Sequence, residues 1–210
     1  MAPVSPPSVP PRSRSAESPA LSRLAALAEL IAAGTPVRSE DHSRPRAAVA
    51  VILAPDPLSI LLIRRAEREG DRWSGQLAFP GGRWSADDPD LLDTAIRETR
   101  EEVGLELSAA GLIGTLDDLA PSTAVLPPIL VRPFVFSVQG REPLVHNPEV
   151  AQAWWQPLEP LLEPGALQPV ELGRHGTLVR TMGFHLEQGV LWGMSERILR
   201  PMVGMLATIH

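Results

Sequence analysis

The sequence predicts a mixed α and β fold of the α+β class. Three observations carry this. Ala47–Leu53 and Leu58–Ile63 are aliphatic runs split by Ala54-Pro55-Asp56-Pro57, which reads as strand, turn, strand. A segment ending at Gly104 repeats apolar residues at helical spacing. A further helical stretch opens at Leu191-Trp192-Gly193.

Residues 1–20 hold six of the 23 prolines, with many serines, and are expected to be disordered. The prolines spoil an amphipathic transit peptide, and the apolar core of a secretory signal is missing. Leu21–Ala33 follows as a helix, with Leu21, Leu24, Leu27 and Ile31 in register. Gly34 to Arg46 is a polar connector that holds the boundary. The expected division is 1–20 disordered, 21–44 helix and connector, and 45–210 the main domain.

After the paired strands comes a charged loop with Arg64, Arg65, Arg68 and Arg72, which leads to Phe79-Pro80-Gly81-Gly82. The two glycines read as a turn. Asp88 suits the N-cap of the next helix, Pro89 its first position and Gly104 its C-terminal stop. Leu92, Ile96, Thr99 and Val103 form its apolar stripe. At roughly 100° per residue, Glu98, Glu101 and Glu102 fall within an arc of about 100° on the outward face. Like charges at this spacing cost a few tenths of a kcal/mol each. Hard divalent cations offset such repulsion, and Mg²⁺ pairs carboxylates with substrate phosphates. The trio therefore reads as a close-set platform for Mg²⁺ or Mn²⁺; the bland alternative is a solvated face paired with Arg97 and Arg100.

Beyond it, Gly111–Leu116, Ile129–Val138 and Thr177–Leu186 read as strands, and Trp154-Trp155 as part of a short one. Asp117 and Asp118 either cap a turn, the preferred reading, or help to hold metal. Glu149 is a candidate further site carboxylate. His42, His146, His175, His185 and His210 have no local partner in sequence and are read as structural or surface residues. Trp192, Ile198 and Met202 are expected in the core.

The overall balance narrows the function. A net charge of −6 argues against nonspecific nucleic-acid binding. The chain has no cysteine, so disulfides, zinc–thiolate sites and thiol nucleophiles are excluded. No apolar run approaches the roughly 18 residues of a membrane span. A cytoplasmic protein with a small-molecule nucleotide substrate, and no nucleic-acid or membrane partner, is expected. A homodimer through Trp154, Trp155 or the first helix is an open option.

Arg97-Glu98-Thr99-Arg100-Glu101-Glu102-Val103-Gly104-Leu105, preceded by Gly81-Gly82, resembles the signature of the Nudix hydrolases, G-x5-E-x7-R-E-U-x-E-E-x-G-U, with U a bulky aliphatic residue. Thr99 stands at the first U. One extra residue separates Gly82 from Arg97, which leaves the acidic position before the helix to Asp88 or, in strict register, to Pro89. The resemblance implies an α/β/α sandwich with a mixed sheet over about residues 45–210. It also implies metal-dependent cleavage of a diphosphate linked to a nucleoside. The implied metal set is Glu98, Glu101, Glu102 and the Gly82 carbonyl, or that of Gly81. The implied catalytic set is Glu98, Glu101, Arg97 and Glu149, with Arg97 orienting the glutamates and the general base left open.

The segment upstream is similar to the Nudix branch that cleaves coenzyme A, whose motif is L-L-T-x-R-[SA]-x3-R-x3-G-x3-F-P-G-G. Leu61-Leu62-Ile63-Arg64-Arg65-Ala66 matches its start and Gly75-x3-Phe79-Pro80-Gly81-Gly82 its end. Ile63 replaces the Thr, and the second Arg falls at Gly70 or Asp71. The C-terminal Trp192-Gly193 stretch is similar to the same branch. The implied substrate is coenzyme A or an acyl-CoA, bound through Arg64, Arg65, Arg72 and Gly81. A different nucleotide, such as a nucleoside triphosphate or ADP-ribose, is the alternative, as is a nucleotide-binding domain without catalysis.

Overall fold

The computed structural model describes residues 18–41, 43–121, 127–174 and 177–209. Most of the expected disordered terminus, His42, His175, His210 and Ser122-Thr123 lie outside the described residues.

Helix α1 spans Pro19–Ala33, two residues earlier than expected, because Ser18 caps it through a hydroxyl that accepts from the Ala20 amide at 3.3 Å. Leu24, Leu27 and Ile31 are buried, whereas Leu21 turns to solvent. Strands β1 (Arg46–Ala54), β2 (Ser59–Arg65), β3 (Leu77–Ala78) and β4 (Gly81–Arg83) follow. Arg64 and Arg65 thus end a strand rather than begin a loop. The paired glycines form strand β4 rather than a turn, with Ala48 opposite Gly82 and Val49 opposite Gly81.

Helix α2 covers Leu91–Val103. Its N-cap is Asp90, whose Oδ1 accepts from the Leu92 and Asp93 amides at 2.6 and 3.0 Å, so the expected Asp88 cap is wrong by two residues. Asp88 is committed elsewhere, as described below. Gly104 closes the helix as expected, at φ 70° with its amide donating to the Arg100 carbonyl. The buried face is Leu91, Thr94, Ala95, Thr99, Glu102 and Val103, so Leu92 and Ile96 sit at its margin. Glu102 lies on the buried side, not the outward one.

The chain continues through β5 (Leu112–Thr115), β6 (Leu130–Ser137), β7 (Val150–Pro157), α3 (Glu159–Leu162), β8 (Leu167–Arg174), β9 (Thr177–Leu186), β10 (Gly189–Trp192) and α4 (Met194–Ala207). Strand β8 was not expected; Pro169 and Gly173 hide it in the sequence. β10, β9 and β8 form their own three-stranded sheet.

The larger sheet has seven strands in the order β3-β2-β1-β6-β5, with β4 also on β1 and β7 also on β2. β1 and β6 run parallel and the remaining pairs antiparallel, which makes the sheet mixed. β1 is buried on both faces, which explains its unbroken apolar run. Val51 and Leu53 face the core formed with α1, α4 and Phe184. Ala48, Ala50 and Ile52 face the core formed with Leu91, Ala95 and Val103 of α2. Helices therefore cover both faces, in three layers. Trp154 and Trp155 pack into opposite cores, so burial within the chain accounts for both. Trp192 is half-buried, Ile198 and Met202 fully so. Among the described residues no helix is long and apolar enough to cross a membrane.

Alanines 48, 50 and 95 let α2 settle close to the sheet, and the glycines let it stay there. Gly81 adopts φ +151°, and a Cβ on it would meet the Ala48 carbonyl oxygen at 2.3 Å. Gly140 has open space around its Cβ position. Gly81→Ala should cost at least about 2 kcal/mol in urea unfolding, from strain plus overpacking. Gly140→Ala should change stability by no more than about 0.5 kcal/mol. Equal effects of the two would contradict this packing.

Candidate active site

Asp88 is buried at the foot of α2. Its two carboxylate oxygens each lie 2.8 Å from the Arg97 guanidinium, through Nε and Nη2. The Thr94 hydroxyl and the Ser85 amide donate to the same carboxylate at 2.9 and 3.1 Å. The Arg97 hydrogen bonds above all hold the Asp88 carboxyl far below the ordinary carboxylate range. A bidentate fork also leaves Arg97 a defined orientation. Its Nη1 donates to Glu98 Oε1 at 2.8 Å and to Glu101 Oε2 at 3.2 Å. Asp88 thus aims Arg97, and Arg97 holds two of the three glutamates.

Each glutamate meets a different environment. Glu98 lies against Gly82, where any Cβ would come within 2.3 Å of its carboxyl carbon. Glu102 accepts from the Gly81 amide at 2.9 Å and has Arg65 Nη1 at 4.0 Å. Glu101 is exposed apart from its contact with Arg97. Burial pushes the Glu98 carboxyl upward, against the pull of Arg97. Burial likewise raises Glu102 to about 7, with the Gly81 amide and Arg65 opposing. The charges of Glu101 and Glu149 add to the rise at Glu98, and those of Glu98 and Glu149 to the rise at Glu102. The charge of Glu149 thus reaches both Glu98 and Glu102. Glu149 itself is exposed and pairs with Arg68 at 2.9 Å. Its loop is tied down by Ala66 N to Glu149 O at 2.8 Å and Asn147 N to Glu102 O at 3.2 Å.

The expected arginines separate. Arg65 pairs with Asp71 at 3.0 Å and flanks Glu102. Arg64 turns away and donates to the Gln188 carbonyl. Arg72 is exposed, its carbonyl accepting from Gln76 at 3.4 Å. Asp117 and Asp118 reach across to other segments rather than capping their own turn. Asp117 accepts from the Val37 amide at 2.8 Å; Asp118 forks onto Arg132 at 2.8 and 2.9 Å and accepts from Ser39 N at 3.0 Å. Together they fasten the connector to β6. His146 and His185 are exposed. The role of Asp88 had one sequence signal, its standing as one option for the acidic position before the helix. The Arg65–Glu102 approach had none, because it joins separate strand and helix.

Among the described residues no three acidic or imidazole side chains already converge as a cation cage. Glu101 is drawn to Arg97 and Glu102 to the Gly81 amide. The chemistry of the donors still fits a hard divalent cation. Burial raises the pKa of both Glu98 and Glu102, a shift that marks them as candidate site carboxylates.

The NUDIX domain family matches residues 44–175. An uncharacterized Nudix hydrolase, NudL, of Yersinia pestis (strain Pestoides F) is 32% identical over 163 residues, covering 77% of this chain and 79% of that protein. An uncharacterized protein of Schizosaccharomyces pombe (strain 972 / ATCC 24843) is 34% identical over 171 residues, 76% of this chain. The match takes in 52% of that relative, so the chain spans about half its length. The crystal structure of a MutT/nudix family protein from Enterococcus faecalis shares the fold at TM-score 0.53 and 20% identity, covering 91% of this chain and 73% of that one. The matched span contains Gly81, Gly82 and every carboxylate set around them, and the chain belongs to the Nudix domain family.

Proposed function

We propose that this protein hydrolyses a phosphoric anhydride in a nucleoside diphosphate derivative, with coenzyme A or an acyl-CoA as substrate. The observation that carries the reading is the pair of carboxylates, half-buried Glu98 and buried Glu102, pressed against Gly82 and Gly81. Glu98, Glu101, Glu102 and the Gly82 carbonyl would hold Mg²⁺ or Mn²⁺. Such an ion, when bound, neutralises charge on phosphate oxygens and acidifies a bound water. Arg97 is a positioning residue: it fixes Glu98 and Glu101 and is itself fixed by Asp88. Glu98, Glu101 or Glu149 takes the proton from the attacking water. Water adds to one phosphorus and the bridging P–O bond breaks, so coenzyme A would give 3′,5′-ADP and 4′-phosphopantetheine.

Support for coenzyme A comes from the Leu61–Gly82 stretch and its likeness to the motif of that branch. Arg65 and Arg72 would meet phosphates, with the Gly81 backbone near Arg65; the expected part for Arg64 is withdrawn, because its guanidinium faces the Gln188 turn. A second reading, another nucleotide substrate, is favoured by one observation. Position 70 is glycine and 71 is aspartate where the motif needs arginine, and Arg65 is already paired with Asp71. A panel of coenzyme A, acyl-CoA, ADP-ribose and nucleoside triphosphates, compared by kcat/KM with Mg²⁺ and with Mn²⁺, separates the two. Coenzyme A compounds should lead. Loss of turnover in Glu101→Gln and Glu102→Gln is expected; tight nucleotide binding with no turnover in the parent protein would make it a binding domain instead.

Arg97→Lys keeps the charge but cannot fork onto Asp88 and reach the glutamates together. Turnover should fall about 10–100-fold with a smaller change in KM. An unchanged kcat would remove Arg97 from the positioning role.

The charge on Glu102 also ties stability to pH. Its folded pKa of about 7 exceeds its ordinary 4.5, so the folded protein keeps a proton the unfolded chain has released. That contribution is complete below about pH 4.5 and is lost as pH rises through about 7. Asp88 acts in the opposite sense: its depressed pKa stabilises above 3.8, and that is lost in stronger acid. The metal-free protein should therefore melt at a lower temperature at about pH 8 than at about pH 5. Metal binding needs the deprotonated carboxylate, so Mn²⁺ should restore the melting temperature at the higher pH and do little at the lower. Glu102→Gln should flatten the metal-free pH profile and abolish the Mn²⁺ response; a variant that keeps both would contradict the assignment.

A further inference from the structure

A cleft of about 330 Å³ opens where the start of β1, the start of β6 and the first turn of α2 meet. The Arg46 guanidinium and the Trp84 indole form one wall, with Cζ 5.0 Å from the ring centroid. Trp84 is 38% exposed, high for so large an aromatic. Arg132 brings a second guanidinium, held flat by its fork onto Asp118. Phe134 and Leu91, both buried, give apolar lining. Asp90, the α2 cap, is exposed and lines the cleft as well.

The charges decide what fits. Arg132 is already forked onto Asp118 and lies in the field of Asp90, and Arg46 lies against the Trp84 ring, which is a weak set for a bare phosphate. A flat neutral heterocycle is better served. Guanidinium donors suit ring nitrogens and carbonyl oxygens, a carboxylate suits an exocyclic amine, and indole and guanidinium planes both accept a stacked ring. The volume also falls within the range of small-molecule sites, which starts near roughly 300 Å³. We propose that this cleft binds a nucleobase-type ring.

The cleft and the glutamates share a helix and a loop. Leu91 and Glu98 lie on one line of α2, within about 20° of each other, and about 10 Å apart along its axis. The Trp84 indole N–H donates to the Asp88 carbonyl at 3.2 Å, and Asp88 holds Arg97. The ring has two candidate sources: the base of the substrate split at the glutamates, or a free nucleoside. The first rests on the proposed hydrolase activity; binding itself does not.

The test titrates the metal-free protein with adenosine, using ribose 5-phosphate as a ring-free control. The Trp84 indole N–H resonance, identified by its loss in Trp84→Phe, is followed by NMR. Adenosine should shift it saturably and ribose 5-phosphate should not. Arg46→Gln, which keeps the β1 backbone, and Leu92→Trp, which fills the cleft, should each weaken adenosine binding at least tenfold. Melting curves establish that the variants fold, and Arg46→Gln decides if Leu92→Trp does not. An unmoved Trp84 signal, or unchanged affinity in Arg46→Gln, overturns the proposal. In the hydrolysis assay, adenosine that raises KM at constant kcat assigns the ring to the substrate. Binding without an effect on KM assigns it to a free nucleoside. Both outcomes uphold the cleft as a ring site, and the titration stands even if no anhydride is hydrolysed.

Discussion

No side chain fits between helix α2 and strand β4, and the site exists because of that. A Cβ on Gly82 would overlap the Glu98 carboxylate, and one on Gly81 would strike the β1 backbone. Ala48, Ala50 and Ala95 keep the helix close to the sheet beneath. The closeness buries Glu102, half-buries Glu98 and lets the Gly81 amide meet a carboxylate directly. Close packing that would normally carry only apolar groups here carries charge.

That charge is only partly compensated. Asp88 and Arg97 satisfy one another and consume the fork of the guanidinium, so Glu98 and Glu101 share a single remaining amino group. Glu102 has one amide and a distant Arg65. A partly buried ion pair is weak evidence for stability, because desolvation offsets much of its attraction. Its use here is orientation: the pair sets the rotamer of Arg97, and Arg97 sets two carboxylates. The physical argument for a divalent cation is the set of carboxylate oxygens itself, gathered where α2, β4 and the Glu149 loop converge.

The same α2 connects this charge to the cleft beside Trp84. The loop from Trp84 to Asp90 supplies the indole wall, the Arg97 clamp and the helix cap within a few residues. Occupancy of the cleft and the orientation of Arg97 therefore share one short segment, held at both ends by the sheet and by the helix.

Much of this was legible in the sequence, for local reasons. Strands β1, β2, β5, β6 and β9 show as aliphatic or alternating runs, and α2 shows as a periodic segment ended by Gly104. The glycine pair and the acidic helix mark the site because backbone approach and carboxylate spacing are written in residue order. Sequence order did not reveal which Asp capped α2. Asp88 and Asp90 are equally good caps locally, and the choice fell to Arg97, nine residues on, which only the folded helix brings to Asp88. Nor did it reveal that Glu102 points inward, since a carboxylate reads as outward until an amide waits for it on a neighbouring strand. Arg64 and Arg65 parted for a similar reason: adjacent strand residues point to opposite faces, and one met the Gln188 turn while the other met Glu102. The sequence by itself determined which groups the protein carries and which helix displays them. The tertiary structure alone decided which charges are buried, because burial depends on what another segment of chain lays across them.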